Sequence, residues 1–227
     1  MRNHVSESVT IDRLAEAALF SKYHFTRIFR SITGISPGHF MSAVRIQEAK
    51  RLLLSTRYTV ADIGTSVGYA SPSTFSARFT RSVGVGPAAF RGRHRPPTPI
   101  FINWLPPRCG TMVHGVVRTD SSLETGPIFV GLFPQPIAEG IPASWTVLPQ
   151  PGPYRLVNPP KGRWHLVAYP VGPASACITP GSDRGIGARS GPLPIQVGIY
   201  RPPVNVTLRT WRDVDPPTLL FLPGVTC

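Results

Sequence analysis

Residues 21–40, SKYHFTRIFRSITGISPGHF, decide how this chain is read, because most of the pattern returns at residues 71–90, SPSTFSARFTRSVGVGPAAF. Phe25 and Phe75, Phe29 and Phe79, Gly34 and Gly84, Pro37 and Pro87, and Phe40 and Phe90 all stand 50 positions apart. An internal repeat is weighed before any local signal, and two copies predict a double-headed module rather than a solenoid. Within the first copy Ser21 is a good N-cap, Phe25, Ile28, Phe29 and Ile32 recur at helical spacing, and Gly34 ends the run. Upstream, Ile11, Leu14, Ala15 and Ala18 mark one face of a short amphipathic helix, with Asp12 and Glu16 towards its start. Leu19 and Phe20 form the turn between. A short helix, a tight turn and a second helix with one apolar stripe predict a helix-turn-helix whose second helix can enter a major groove.

With Phe25, Ile28, Phe29 and Ile32 facing inward, the outer face carries Lys22, Tyr23, Thr26, Arg27 and Arg30. These are side chains that donate to phosphates and reach base edges. Ser36 followed by Pro37 reads as an N-cap and first helical residue. The segment 37–54 then runs with apolar residues around most of its circumference, so it must be contacted on several sides. At 1.5 Å per residue it is about 27 Å long, close to the ~34 Å between successive major-groove faces, and it reads as a rigid spacer. The second head opens at Thr59, with Val60, Ile63, Gly64 and Val67 standing 49 residues after Ile11, Leu14, Ala15 and Ala18. Its outer positions Ser73, Thr74 and Ala77 replace Tyr23, His24 and Arg27, a face smaller and poorer in donors.

Residues 9–91 resemble the DNA-binding domain of AraC/XylS transcription regulators. IDRLAEAALFSKYHFTRIFRSITGISPGHF, the helix AVRIQEAKRLLL, and the second-head pattern ADIGxxVGYxxxSxFSxxF followed by GxxPxxFR carry the resemblance. It implies two helix-turn-helix units joined by a long helix, each placing a recognition helix in successive major grooves of duplex DNA. Position by position it implies base contacts from Tyr23, Thr26 and Arg27 in the first head and from Ser73, Thr74 and Ala77 in the second. Ser21, Lys22, Arg30, Arg45, Ser71, Arg78 and Arg81 are the candidate phosphate contacts. The sequence departs from the pattern at Pro72 and at Ala77, which has no donor; the first head is therefore expected to read sequence and the second to fix register.

Two other strings inside the module do not carry their usual chemistry. Gly64-Thr-Ser66-Val-Gly68 satisfies G-x-S-x-G, but a nucleophile elbow needs a strand-turn-helix and Ser66 falls in a helical segment. Gly84-x-Gly86-x-x-Ala89 mimics a dinucleotide fingerprint without the preceding strand. The six histidines are scattered and no carboxylate pair is recognisable, so no enzyme and no cofactor is expected.

The chain of 227 residues carries a formal charge of +13, and its first 95 residues hold 14 Lys/Arg against 5 Asp/Glu. A basic helical module points first to a polyanion. Those residues hold three of the 27 prolines, and the change in composition sets a boundary: helices over 1–95, a Pro/Arg-rich connector over 96–108, and a β-sandwich over 109–227. Ile100, Phe101, Ile102 and Trp104 are expected to dock the connector. Strand-like runs fall at 112–117, 128–133, 145–148, 154–157, 164–169, 196–200, 204–211 and 218–222, with 173–194 a long loop. An antiparallel sandwich is expected, and PGPYRLVNPPKGRWHLVAYP faintly resembles transthyretin-like, carboxypeptidase-regulatory-type sandwiches. Alternation leaves one face of residues 163–169 half solvated. Trp145, Tyr154, Trp164 and Tyr169 are the candidate effector-pocket residues, although aromatic residues on strands are more often core.

Cys109, Cys177 and Cys227 match no metal-ligand spacing and read as free thiols of a reducing cytoplasm. Residues 1–9 lack the apolar core of a signal peptide, and no membrane span is expected. The expected protein is a multidomain, α-then-β transcription regulator, monomeric or homodimeric. Its partner is double-stranded DNA, with RNA polymerase and a small-molecule effector as candidate further partners.

Overall fold

The computed structural model describes residues 10–92, 111–119, 125–171, 185–196 and 201–220. The chain divides into two compact units, the helices together with a segment that begins at Asp213, and the sheet.

The first head is built from α1 (Ile11–Ala17) and α2 (Lys22–Thr33). Thr10 caps α1 by accepting from the Arg13 N–H, and Ser21 caps α2 by accepting from the His24 N–H. Gly34 closes α2 in the left-handed region at φ +79°. Then α3 (Pro37–Ser55) starts at the proline, capped by Ser36, and runs one residue beyond the expected end. The second head repeats the plan with α4 (Val60–Ser66), α5 (Pro72–Val83) and α6 (Pro87–Arg91). Thr59 and Asp62 form a reciprocal capping box on α4, Ser71 caps α5, and Gly84 closes it at φ +90°.

The repeat reaches into the packing. In the first head the Phe25–Phe29 rings lie 5.7 Å apart and Phe29 meets Phe40 edge-on at 5.4 Å. In the second, Phe75–Phe79 are 5.7 Å apart and Phe79 meets Phe90 edge-on at 5.6 Å. The turns differ. Gly68 takes φ +85° in the second head, whereas Leu19, 49 residues earlier, is a non-glycine at φ +57° with its side chain 92% exposed.

Two positions of the apolar stripes are corrected: Ala18 is the exposed C-cap of α1, and the other lies near the end of α2. Ile32 is 61% exposed, and Thr33 takes the buried place at the end of α2. The Thr33 hydroxyl donates to the carbonyls of Phe29 and Ile35, at 2.8 and 3.0 Å, which draws that turn inward one residue later than the apolar stripe predicts.

The sheet has seven strands: β1 (Met112–Thr119), β2 (Ile128–Phe133), β3 (Trp145–Leu148), β4 (Gly152–Val157), β5 (Gly162–Pro170), β6 (Ile186–Ile195) and β7 (Val206–Thr210). Their order is β3-β2-β5-β6-β7-β1-β4. The two end strands are consecutive in sequence, and the Ser144 hydroxyl donates to the Val157 carbonyl across them at 3.1 Å. The sheet is thereby nearly closed, a barrel-like relative of the expected sandwich. It is mixed rather than wholly antiparallel, since β1 and β7 pair in parallel. The strands flanking the Pro-Pro-Lys-Gly turn form as expected but pair elsewhere, β4 with β1 and β5 with β2 and β6.

The largest correction is β6, which lies partly inside the expected long loop. Gly191, Pro192 and Pro194 read as breakers. The ladder tolerates them through a register shift: Trp164 faces Leu193, and two residues later Leu166 faces Ser190. Residues 218–220 have no regular structure, and Gln196 lies just past β6; residues 197–200, 221–222 and the connector 96–108 lie outside the described residues. Both faces of residues 166–170 are buried, which corrects the half-solvated face. Val130, Leu166, Ala168 and Leu208 fill one side, and Phe129 and Phe133 crowd the other.

Candidate nucleic-acid interface

Capping and packing of the recognition helices fix which side chains point out. On α2, Phe25, Ile28 and Phe29 are half-buried, while Tyr23 is 80% exposed and Arg27 and Arg30 are exposed. Thr26 is half-buried beside them. Arg27 Nη2 lies 3.4 Å from His24 Nδ1, one turn back. On α5, Phe75, Phe79 and Val83 are wholly buried, and Ser73, Thr74, Ala77 and Arg81 are exposed. Tyr23, Arg27 and Arg30 thus form an outward stripe at i, i+4, i+7, and Ser73 and Ala77 repeat its first two positions.

The remaining candidate phosphate contacts have partners within the unit. The Ser21 and Ser71 hydroxyls each accept from a backbone N–H at 3.3 Å, from His24 and Thr74. Ser71 Oγ also lies 3.1 Å from Ser73 Oγ and 2.9 Å from Thr74 Oγ1, a small hydroxyl cluster at the start of α5. Lys22 is paired with Asp12 at 2.9 Å, both largely exposed, a contact that solvent leaves weak and free to exchange for phosphate. Arg45 Nη1 donates to the Gly68 carbonyl at 3.3 Å, and Arg78 Nε to Ser42 Oγ at 2.8 Å. Both arginines tie α3 to the second head. Ser42 also lies 3.4 Å from the Tyr69 hydroxyl, which makes it the hub of that junction.

Two further cations matter: Arg91, the last residue of the GxxPxxFR pattern, and Lys50. Arg91 Nε donates to the Leu53 carbonyl at 3.4 Å and Nη2 to that of Tyr58 at 2.5 Å, clamping α6 to the end of α3. Lys50, on α3, is only 8% exposed, and burial lowers its pKa to about 8. A lysine on a helix with apolar residues around most of its circumference could have suggested the latter.

In the sheet unit the four aromatic pocket candidates do not converge. The Tyr154 hydroxyl donates to the Val204 carbonyl at 2.6 Å, Trp164 Nε1 donates to that of Pro160 at 2.8 Å, and both rings join the core side of the sheet. Trp145 stacks on Phe129 at 5.9 Å and Tyr169 lies 5.1 Å from the same ring, on the other face. Burial pushes both tyrosine hydroxyls well above their ordinary pKa. A hollow of about 250 Å³ lies elsewhere, bordered by Thr111, Val113, Ile195, Gln196 and Arg201 among others.

A family model described as a helix-turn-helix domain matches residues 14–93. The MmsAB operon regulatory protein of Pseudomonas aeruginosa is 36% identical over 95 residues, 42% of this chain and 31% of that protein. Residues 14–93 are an AraC-type helix-turn-helix domain. The bifunctional transcriptional activator and DNA repair enzyme AdaA of Bacillus subtilis is 35% identical over 86 residues, 38% of this chain and 41% of AdaA. A crystal structure of the DNA-binding domain of AdpA with a target DNA is 34% identical and covers 41% of this chain and 85% of that one, with a TM-score of 0.40. The chain thus spans well under half the length of these two full-length relatives. The AraC-type match stops short of the sheet, and the transthyretin-like resemblance is not confirmed. Among the described residues no helix is long and apolar enough to cross a membrane.

Proposed function

We propose that this protein is a sequence-specific, double-stranded-DNA-binding transcription regulator, with α2 and α5 entering successive major grooves. The observation that carries this reading is the duplicated, capped head whose outward stripe bears Tyr23, Arg27 and Arg30 on a strongly basic unit. Tyr23, Thr26 and Arg27 read bases, and Ser73, Thr74 and Ala77 are the weaker candidates of the second head. Lys22, Arg30 and Arg81 meet phosphates, together with the helix starts capped by Ser21 and Ser71. Arg45 and Arg78 supply charge nearby while holding the heads at fixed spacing. The named relatives are operon regulators and activators, which agrees with this reading.

The test is binding to a duplex selected from a random pool against binding to an unselected duplex. Arg27→Ala removes a donor worth about 1–3 kcal/mol of base discrimination and lowers the selected-to-random ratio roughly tenfold or more. Ala77→Ser leaves that ratio within about twofold. An unchanged ratio in Arg27→Ala refutes the assignment.

For the sheet unit, one reading is effector sensing and the other is ligand-independent dimerisation or protein interaction. The second is favoured by the way Trp145, Tyr154, Trp164 and Tyr169 are consumed in the sheet's own packing. Thermal-shift screening of the whole chain against sugars, aromatics and peptides separates them: a stabilising ligand that also changes duplex affinity supports sensing, and concentration-dependent dimerisation without a hit supports interaction.

A further inference from the structure

Only Trp211 and Arg212 separate β7 from a segment, residues 213–220, that packs with the helices. It has no regular structure, yet Asp215, Pro216, Pro217 and Leu219 are buried, Leu219 completely. Its backbone serves a charged group: Lys50 Nζ donates to the carbonyls of Thr218 and Leu219 at 3.4 and 3.2 Å and sits 5.9 Å from the centre of the Phe90 ring. An ammonium taken out of water is tolerated only where acceptors replace its hydration, and this strap supplies two. Leu220 reaches the C-cap of α5, its Cδ1 lying 3.9 Å from where a Cβ on Gly84 would stand. The strap therefore meets α3 at Lys50 and the end of α5 at Gly84, with Phe90 of α6 close to the same ammonium.

The internal repeat supplies a control. Both heads have the same aromatic ladder, and α6 repeats the first turn of α3, Pro87 and Phe90 matching Pro37 and Phe40. Yet Phe75, Phe79 and Val83 are fully buried, whereas Phe25 and Phe29 are half-buried. Ser82 is 0% exposed where its counterpart Ile32 is 61% exposed. Among the described residues, the strap is an element of the helical unit with no counterpart at the 50-residue offset.

We propose that residues 213–220 are a brace acting in cis on the second head, holding α5 and α6 against α3 when docked and loosening them when withdrawn. Withdrawal would expose Leu219 and the two prolines and strip the buried Lys50 ammonium of both acceptors. The brace continues directly from β7, with only Trp211 and Arg212 between. The consequence for DNA rests on the DNA-binding reading; the bracing itself does not.

Hydrogen exchange read by mass spectrometry on the full chain tests it, with wild type, Leu219→Ser and the milder Leu219→Ala, alongside affinity for a random-sequence duplex at low salt. In wild type, amides of residues 72–91 are expected to exchange more slowly than those of residues 22–33. Leu219→Ser is expected to speed exchange in residues 72–91 about tenfold more than in residues 22–33, and to weaken duplex binding several-fold. Exchange of residues 72–91 in wild type as fast as that of residues 22–33 overturns the brace even where neither variant folds. So does equal acceleration of both heads, or no change in 72–91. A wild type that binds no duplex while its exchange pattern matches expectation sinks the DNA-binding reading and leaves the brace standing.

Discussion

At the scale of single residues, the two turn positions make a matched pair. Leu19 holds a left-handed conformation that costs a non-glycine residue roughly 1–2 kcal/mol, and its 92% exposed side chain recovers almost nothing by packing. Leu19→Gly should stabilise the helical unit by about 0.5–1 kcal/mol after the added flexibility of the unfolded chain is subtracted. Gly68→Ala should do the opposite. It forces a Cβ into the same region of backbone space at φ +85° and against the Arg45 guanidinium, 3.1 Å away. Urea denaturation of both variants measures the two signs. Lys50 gives a prediction in pH. Its folded pKa of about 8 lies below the unfolded 10.5, so the unfolded chain holds the extra proton between those values. The contribution of Lys50 to stability is lowest and flat below pH 8, rises between pH 8 and 10.5, and levels above, by an amount on the order of 3 kcal/mol. Lys50→Met should remove that rise, seen as converging melting temperatures of variant and wild type as pH increases.

At the scale of elements, the ladder of aromatic rings was legible from spacing alone, but its degree of burial was not. Phe29 and Phe79 occupy equivalent places, and only the second is wholly enclosed. Phe79→Ala is therefore expected to cost about 3–5 kcal/mol, and Phe29→Ala roughly half as much, in equilibrium denaturation of the full chain. The helix boundaries were readable because each is set by a local residue: Ser21, Ser36, Thr59 and Ser71 before the helices, Gly34 and Gly84 after. β6 was not readable, because its ladder survives Gly191 and Pro192 through an irregularity shared with β5, and that accommodation is visible only once the partner strand is known.

At the scale of the whole molecule, the basic charge of the helical unit should make duplex binding fall steeply with salt. If Lys22, Arg30 and Arg81 meet phosphates as proposed, each contact contributes about 0.9 to the slope of log affinity against log salt, so Arg30→Ala should reduce the slope by about one without altering sequence preference. Titrations at several salt concentrations check it. The duplicated head, its caps, its outward stripe and the change from helix to strand after the module were written in the sequence, since each follows from side chains close in the chain or from a fixed repeat. The docking of residues 213–220 on Lys50 and the parallel β1–β7 pair were decided by tertiary structure. They depend on which distant backbone arrives beside a given side chain, and spacing along a single chain carries no record of that.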